Sequence, residues 1–389
     1  MIKPALMISV AAAALAAAAG AAGAQDVLKL GLVQSMTGAL NTTGKAVVNG
    51  ALLYLKQHGD MVAGRKIQVI IKDDATTPDA AKRLTQELIV NDKVAILGAG
   101  MTPSALAMAP LVTEAKTPTV VMLAGASIVV ERSPYMVRTS YTLGQSSEAI
   151  ADWAVKNGAR RIVTLVSDWA PGLEAEAAFK EQAIKGGAHI VESMRLPLMS
   201  PDFAPFLQRA RDHNPDTLFV WFPGAEAAIF AKQFAERGMD KSGIRIVGPG
   251  DLTDEDELPG MTDAVLGIVT AYHYSAVHDS PTNKSFVADF EKAYGKRPNP
   301  VAVSGYDGMH LIFEALKKTG GKADGDALVA AMKGLKWESP RGPIEIDPRT
   351  RDVVHNEYIR RVGRVNGQLS NVEFETYPMV KDPSKEARN

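Results

Sequence analysis

Residues 66–100 read KIQVIIKDDATTPDAAKRLTQELIVNDKVAILGAG. Lys66–Lys72 is a short run rich in Ile and Val. Asp79–Val90 carries apolar residues at three- and four-residue spacing (Leu84, Leu88, Ile89), and Val94–Gly98 is apolar again. Pro78 followed by Asp79 marks the helix start. Strand, helix and strand in this order form one crossover unit, which joins parallel strands with a right-handed turn.

The same rhythm runs outward on both sides. Further strands are predicted at Val27–Gln34, Thr119–Ala124, Arg161–Val166, His189–Leu196, Thr217–Phe222 and Arg245–Gly248. Helical patterns fill Lys45–His58, Ser104–Ala115, Gln145–Asn157, Gly172–Lys185, Asp202–Arg211 and Ala225–Arg237. Several strands are apolar throughout, as strands covered on both faces are. The class is α/β, with mainly parallel sheets flanked by helices. The rhythm changes after Leu266: a long strand (Leu266–His273), helices Asn283–Tyr294, Val301–Thr319 and Gly325–Lys333, then strands Ile344–Ile346 and Glu357–Val362. Residues 379–389 are polar and read as a frayed tail.

Four strands end in small or turn-forming residues that lead into a helix: Gly98–Thr102, Ala124–Ser127, Ser167–Gly172 and Phe222–Gly224. Ligands of open α/β sheets sit beyond the carboxyl ends of the strands, facing helix N-termini whose free N–H groups suit a carboxylate.

The N-terminus adds a location. Lys3 precedes an uncharged apolar run (Ala5–Ala19), and Ala22-Gly23-Ala24 is a small-x-small cleavage site. Residues 1–24 therefore read as a secretory signal peptide, cut before Gln25. The 389-residue chain is 46% hydrophobic, enough for two domains with real cores, and has no cysteine. Its formal charge is −1, or −2 once Lys3 leaves and 42 basic residues face 44 acidic ones. A near-neutral surface excludes nucleic acid and anionic membrane as partners.

Enzyme classes find no support in the motifs. G-x-S-x-G, H-E-x-x-H and a Walker lysine are absent, the seven histidines are scattered, and Gly98-Ala99-Gly100 lacks the third glycine of a dinucleotide fingerprint. No catalytic activity, cofactor or metal is expected.

Gln68–Asp74, Thr77–Ala81 with Leu88-Ile89, and Val94–Gly98 resemble the type I periplasmic binding proteins of branched-chain amino-acid ABC transporters. Leu32–Gly38, Asp168 with Gly172, Gly248-Pro249-Gly250 and Ser304–Asp307 carry the same resemblance at the right spacings. It implies two lobes hinged on three crossing segments, near Val137–Tyr141, Tyr272–Tyr274 and just after Ile346. Lobe 1 would hold residues 26–141 and 275–346, and lobe 2 residues 142–271 and 347–389. It also implies a monomeric periplasmic protein that hands a small carboxylate to membrane permease subunits of an ABC importer. An extracellular ligand sensor shares the fold and pocket.

Carried over by position, Thr102 takes the place of the family's carboxylate-binding serine, with Ser104 beyond it and Ala124, Gly125, Ala126 and Ser127 on the next loop. The closing lobe offers Trp169, Pro171 (where the family usually has tyrosine), Phe222 and Gly224. Tyr272 and Tyr306 lie near the crossings. Amino-acid binders of the family place an acid after Gly-Pro to pair with the ligand ammonium. Here Gly250 stands in that position, with Asp251 one step later. Either Asp251 turns inward or the ligand lacks an ammonium. The run Asp251–Glu257 reads as a solvated loop, which favours an aromatic or branched organic acid over an amino acid.

Overall fold

The computed structural model describes residues 27–38, 40–197 and 202–386. The expected signal peptide, with its cleavage site, lies outside these residues. The first sheet is built by β1 (Val27–Gln34), α1 (Asn41–His58), β2 (Met61–Val62), β3 (Arg65–Asp73), α2 (Pro78–Val90), β4 (Ile96–Ala99), α3 (Thr102–Glu114), β5 (Thr119–Val121) and β6 (Met136–Arg138). Its strand order is β2-β3-β1-β4-β5-β6. All neighbours are parallel except β2 and β3, so residues 66–100 form the crossover their sequence predicts, with β1 between β3 and β4.

The chain then enters a second sheet through α4 (Leu143–Lys156), β7 (Arg161–Ser167), α5 (Ala170–Lys185), β8 (His189–Leu196), α6 (Ala204–Asp212), β9 (Thr217–Trp221), α7 (Ala225–Glu236), β10 (Arg245–Pro249) and β11 (Val269–Tyr272). Strands β8-β7-β9-β10-β11 run parallel. Strand β11 is shorter than expected, because Asp263–Val265 forms a 3-10 turn and Gly267 takes φ +86°.

Next come α8 (Pro281–Tyr294), α9 (Pro300–Lys318) and α10 (Gly325–Met332), and the first two pack back on α1. Tyr294 Oη donates to Asn49 O at 2.9 Å, and the Tyr54 and Phe313 rings meet edge to face at 5.2 Å. Close approach of α9 to α1 requires glycine: a Cβ on Gly50 would lie 1.8 Å from Ala302 O, and one on Gly305 would lie 2.1 Å from Val47 O.

The last strands return to the second sheet: β12 (Lys336–Ser339), β13 (Gly342–Ile346), β14 (Val353–Val365) and β15 (Gln368–Val380), followed by α11 (Pro383–Glu386). β13 hydrogen-bonds to β14, while Arg351 O accepts from the Arg138 N–H of β6 at 2.9 Å and Trp337 on β12 donates to Asp307 of α9 at 3.1 Å, so the chain on both sides of Ile346 touches both halves. β14 and β15 form a long hairpin closed by Asn366-Gly367, both at positive φ (+51° and +81°), as an Asn-Gly turn requires. The tail expected to fray from residue 379 is ordered to Glu386. Lys385 is buried there, with its ammonium on Asp352 and 3.7 Å from Asp382. Residues 387–389 lie outside the described residues.

Two buried arginines fix the passages between the sheets. Arg138 pairs with Asp352 at 2.8 Å, and Arg341 pairs with Asp307 at 2.8 Å while donating to Ser140 O at 2.9 Å. Removing one partner from such a buried pair costs roughly 3–5 kcal/mol. Among the described residues no helix is long and apolar enough to cross a membrane.

Candidate functional site

The carboxyl ends of both parallel sheets face each other across a cavity of about 100 Å³. The first sheet contributes Leu40, Thr42 and Thr43 after β1, Met101 and Thr102 after β4, and Leu123, Ala124 and Gly125 after β5. The second contributes Trp169 and Pro171 after β7, Trp221, Pro223 and Gly224 at the end of β9, Asp251, Asp254, Asp256 and Glu257 after β10, and Tyr272 at the end of β11. Tyr141 and Leu143 line it from the passage after β6, and Asn299 and Val301 from the start of α9. A space of this size holds one small molecule and excludes a peptide.

The two sides differ in charge. Among the described residues no acid lines the side formed by the first sheet. Helices α1 and α3 begin there, with no side-chain cap from Leu40 or Met101; the Asn41 N–H turns to Gly38 O at 3.4 Å and Pro103 has none, so the N–H groups that can face a ligand are those of Thr42, Thr43, Thr102 and Ser104. Thr102 is only 6% exposed and lines the cavity from the first turn of α3. Two helix N-termini and the Thr102 hydroxyl on a side without an acid among its described residues suit a carboxylate.

All four acids come from the loop after β10. Asp256 is held by Lys296 at 2.8 Å and by the Asn299 amide at 3.1 Å. Burial, and then Asp256 beside it, pushes the Asp254 carboxyl up to about 8. The loop is packed as 3-10 turns with Leu252 and Leu258 in the core, so the solvated loop expected from its charge is not what forms.

Asp251 points inward. Its Oδ1 accepts from the Tyr141 and Tyr272 hydroxyls at 3.3 and 3.4 Å. Burial raises its carboxyl above the usual range, and the tyrosine hydroxyls and the Trp221 indole counter this. Burial likewise raises both tyrosines well above their ordinary value, so each stays a donor. The Trp221 N–H lies near enough to favour the charged carboxylate but outside hydrogen-bond geometry. As a result Trp221 Nε1 and Asp251 Oδ2 are both buried without a partner. The preceding residue cannot carry an acid: a Cβ on Gly250 would lie 2.2 Å from Arg360 Nη2 and 2.4 Å from the Tyr272 ring.

Of the residues expected from sequence, Thr102, Ala124, Gly125, Trp169, Pro171, Gly224, Asp251 and Tyr272 line the cavity. The others do not. Ser104 donates to the buried Asp74 at 2.6 Å, alongside Ser35 at 2.7 Å. Ala126 O accepts from Arg138 at 2.7 Å, and both the N–H and hydroxyl of Ser127 go to Glu174, at 2.9 and 2.7 Å. Phe222 faces the core against Phe203 and Phe230, since the chain alternates and sends Trp221 to the cleft. Gly250 is covered by Arg360 and Tyr272. Tyr306 packs α9 on α1, donating to Gln57 at 2.7 Å.

Trp221, Tyr141, Asn299 and Val301 escaped the sequence reading. Alternation along Thr217–Phe222 was the signal for Trp221, and the passage at Val137–Tyr141 for Tyr141. Nothing local marks Asn299 or Val301, which arrive from a distant helix. Among the described residues no group of three or more His, Asp or Glu is arranged to hold a metal ion.

A family model described as periplasmic binding protein matches residues 27–368. Leu/Ile/Val-binding protein homolog 6 of Brucella melitensis is 38% identical over 372 residues, covering 93% of this chain and 95% of its own. A solute-binding protein of an ABC transporter from Rhodopseudomonas palustris BisB5, solved with 3,4-dihydroxybenzoic acid, is 61% identical. It superposes with a TM-score of 0.90 over 92% of this chain and 99% of its own. Another, from Rhodopseudomonas palustris HaA2 with p-hydroxybenzoic acid, is 40% identical with a TM-score of 0.89 over 92% and 99%.

Proposed function

The chain belongs to the periplasmic binding protein family, and on that premise we propose that it is the solute-binding component of an ABC importer that captures a small aromatic carboxylate between its two lobes. One observation carries the reading: a single-molecule cleft walled by Trp169, Trp221, Tyr141 and Tyr272, with uncapped helix starts on one side and acids on the other. The aromatic acids held by its Rhodopseudomonas relatives agree with these walls. The carboxylate lies against Thr102 and Gly125, away from the acids of the loop after β10. Thr102, Ala124, Gly125, Trp169, Pro171, Gly224, Asp251 and Tyr272 are the ligand-binding residues taken from sequence, joined by Tyr141 and Trp221.

The lobes close on the ligand by hinging at the passages fixed by Arg138 and Arg341. The protein is exported behind its signal peptide, works in the periplasm as a monomer, and delivers its ligand unchanged to the permease. An amino acid is the second reading, favoured by the names of the Brucella relatives and by the inward carboxylate of Asp251.

A thermal-shift screen of aromatic and aliphatic carboxylates against amino acids tests the proposal. A ligand at about a hundred times its Kd stabilises by about 2.7 kcal/mol. The expected result is a shift with aromatic carboxylates and recovery of the ligand unaltered. A shift with leucine alone, or a chemically changed product, contradicts it.

A further inference from the structure

We infer that Ser127 and Glu174 form a latch between the two lobes, beside the cleft but not lining it, that sets how long the closed protein holds its ligand. The inference rests on the hinged solute-binding reading above and names positioning residues for closure.

The chain places both residues next to the cleft walls. Ser127 follows Ala124 and Gly125 and opens a 3-10 turn, Ser127–Arg132, after β5 of the first sheet. Glu174 lies one turn into α5 of the second sheet, whose start carries Trp169 and Pro171. A bond between them therefore joins the two segments that wall the ligand, although neither residue lines the cavity itself.

The contact is strong in kind. Glu174 Oε1 accepts from the Ser127 N–H at 2.9 Å and from the Ser127 hydroxyl at 2.7 Å. Burial raises the Glu174 carboxyl above its ordinary range, and the two Ser127 bonds oppose this. Hydrogen bonds to a carboxylate are stronger than neutral ones, and a buried carboxylate that loses them bears its full desolvation cost. With the lobes apart, water serves both groups. The pair thus favours the closed form and adds little to the open one.

The turn cannot follow Glu174 as the lobes part. Arg138 on β6 donates to Ala126 O at 2.7 Å, and Arg351, between β13 and β14, donates to Val130 O at 2.8 Å. Ser127 therefore stays with the first sheet while α5 travels with the second, and opening breaks both bonds. The tie between Asp256 and Asn299 differs, because both of those residues line the cavity and changing them alters ligand contacts as well. A contact made only after closure slows release and leaves the encounter with ligand untouched.

The test is stopped-flow release of 4-hydroxybenzoate, followed by the fluorescence of the cleft tryptophans, with leucine as the probe if the aromatic acid does not bind. The wild type is compared with Ser127→Ala, Glu174→Ala, the double variant and Glu174→Gln. Each alanine variant should release ligand about tenfold faster, with association within about twofold of the wild type. The double variant should be no faster than the faster single one, and Glu174→Gln, which keeps an acceptor oxygen, should recover most of the loss. Hydrogen exchange of the wild type needs no variant: ligand should slow exchange of the Ser127 amide severalfold. Unchanged release overturns the latch, since water then replaces either partner in the closed protein. Variants that only destabilise the empty protein overturn it too, as does a Ser127 amide that exchanges alike with and without ligand. If neither probe binds, the solute-binding reading itself fails. If a probe binds without compaction in small-angle scattering, the hinge fails and the latch with it.

Discussion

The Tyr141 hydroxyl donates to Asp251 Oδ1 at 3.3 Å, and this bond joins the segment leaving the first sheet to the loop that ends β10 of the second. The Tyr141 ring also stacks on His273 at 5.1 Å, so one side chain links the cleft wall to the passages between the sheets. A molecule in the cleft therefore touches a residue fixed to both halves.

Tyr141→Phe keeps the ring and its stacking but removes one of the two donors to Asp251. Ligand affinity should fall by about 1 kcal/mol, or roughly fivefold, with a small loss in the melting temperature of the empty protein. Calorimetry and thermal unfolding check this. Unchanged affinity would place Tyr141 outside the site.

Thr102 and Ser104 lie on the same turn but should respond differently. Thr102→Ala removes a cavity-lining hydroxyl at the side proposed for the carboxylate, so it should weaken binding by about 1–3 kcal/mol and leave unfolding of the empty protein nearly unchanged. Ser104→Ala takes a donor from the buried Asp74, so it should lower stability by about 1–3 kcal/mol with little change in affinity per folded molecule. The reverse pattern in paired calorimetry and denaturant titrations would exchange their roles.

Gly250→Ala should destabilise the protein by about 1–3 kcal/mol, because its Cβ meets the Arg360 guanidinium and Tyr272 ring well inside contact distance. Gly250→Asp should be worse, and should not create leucine binding. A stable Gly250→Asp variant that binds leucine would show that this position can host an ammonium partner after all.

Glu357 is fully buried, and burial pushes its carboxyl from 4.5 up to about 8. The fold thus prefers its neutral form. The stability it adds is complete below about pH 4.5 and is lost as pH rises toward 8, by up to about 1.4 kcal/mol per pH unit. Glu357→Gln stays neutral, so its melting temperature should gain on the wild type steadily from pH 5 to pH 8. Parallel pH profiles for the two proteins would refute this assignment.

The parallel part of each sheet was legible because strands buried on both faces are continuously apolar and each is followed by an amphipathic helix; residues 66–100 show both signals. The hairpin β14–β15 was under-read because its exposed face is polar, although Asn366-Gly367 marks the turn. The cavity lining was legible where a loop follows its strand directly, as at Thr102, Gly125 and Trp169. It failed where two neighbouring residues compete for one direction, as at Trp221 and Phe222. It failed as well where a hydroxyl serves a buried carboxylate, as Ser104 serves Asp74. The charge of Asp251–Glu257 misled because Lys296, Asn299 and two tyrosines pair acids that sequence alone sees as free.

Calorimetric titration of the purified protein with 4-hydroxybenzoate and, separately, with leucine tests the central claim most directly. The account predicts one site per chain, micromolar or tighter affinity for the aromatic acid, and no measurable heat of binding with leucine. Micromolar binding of leucine that is abolished by Asp251→Asn, with none of the aromatic acid, would contradict it and make Asp251 an ammonium partner.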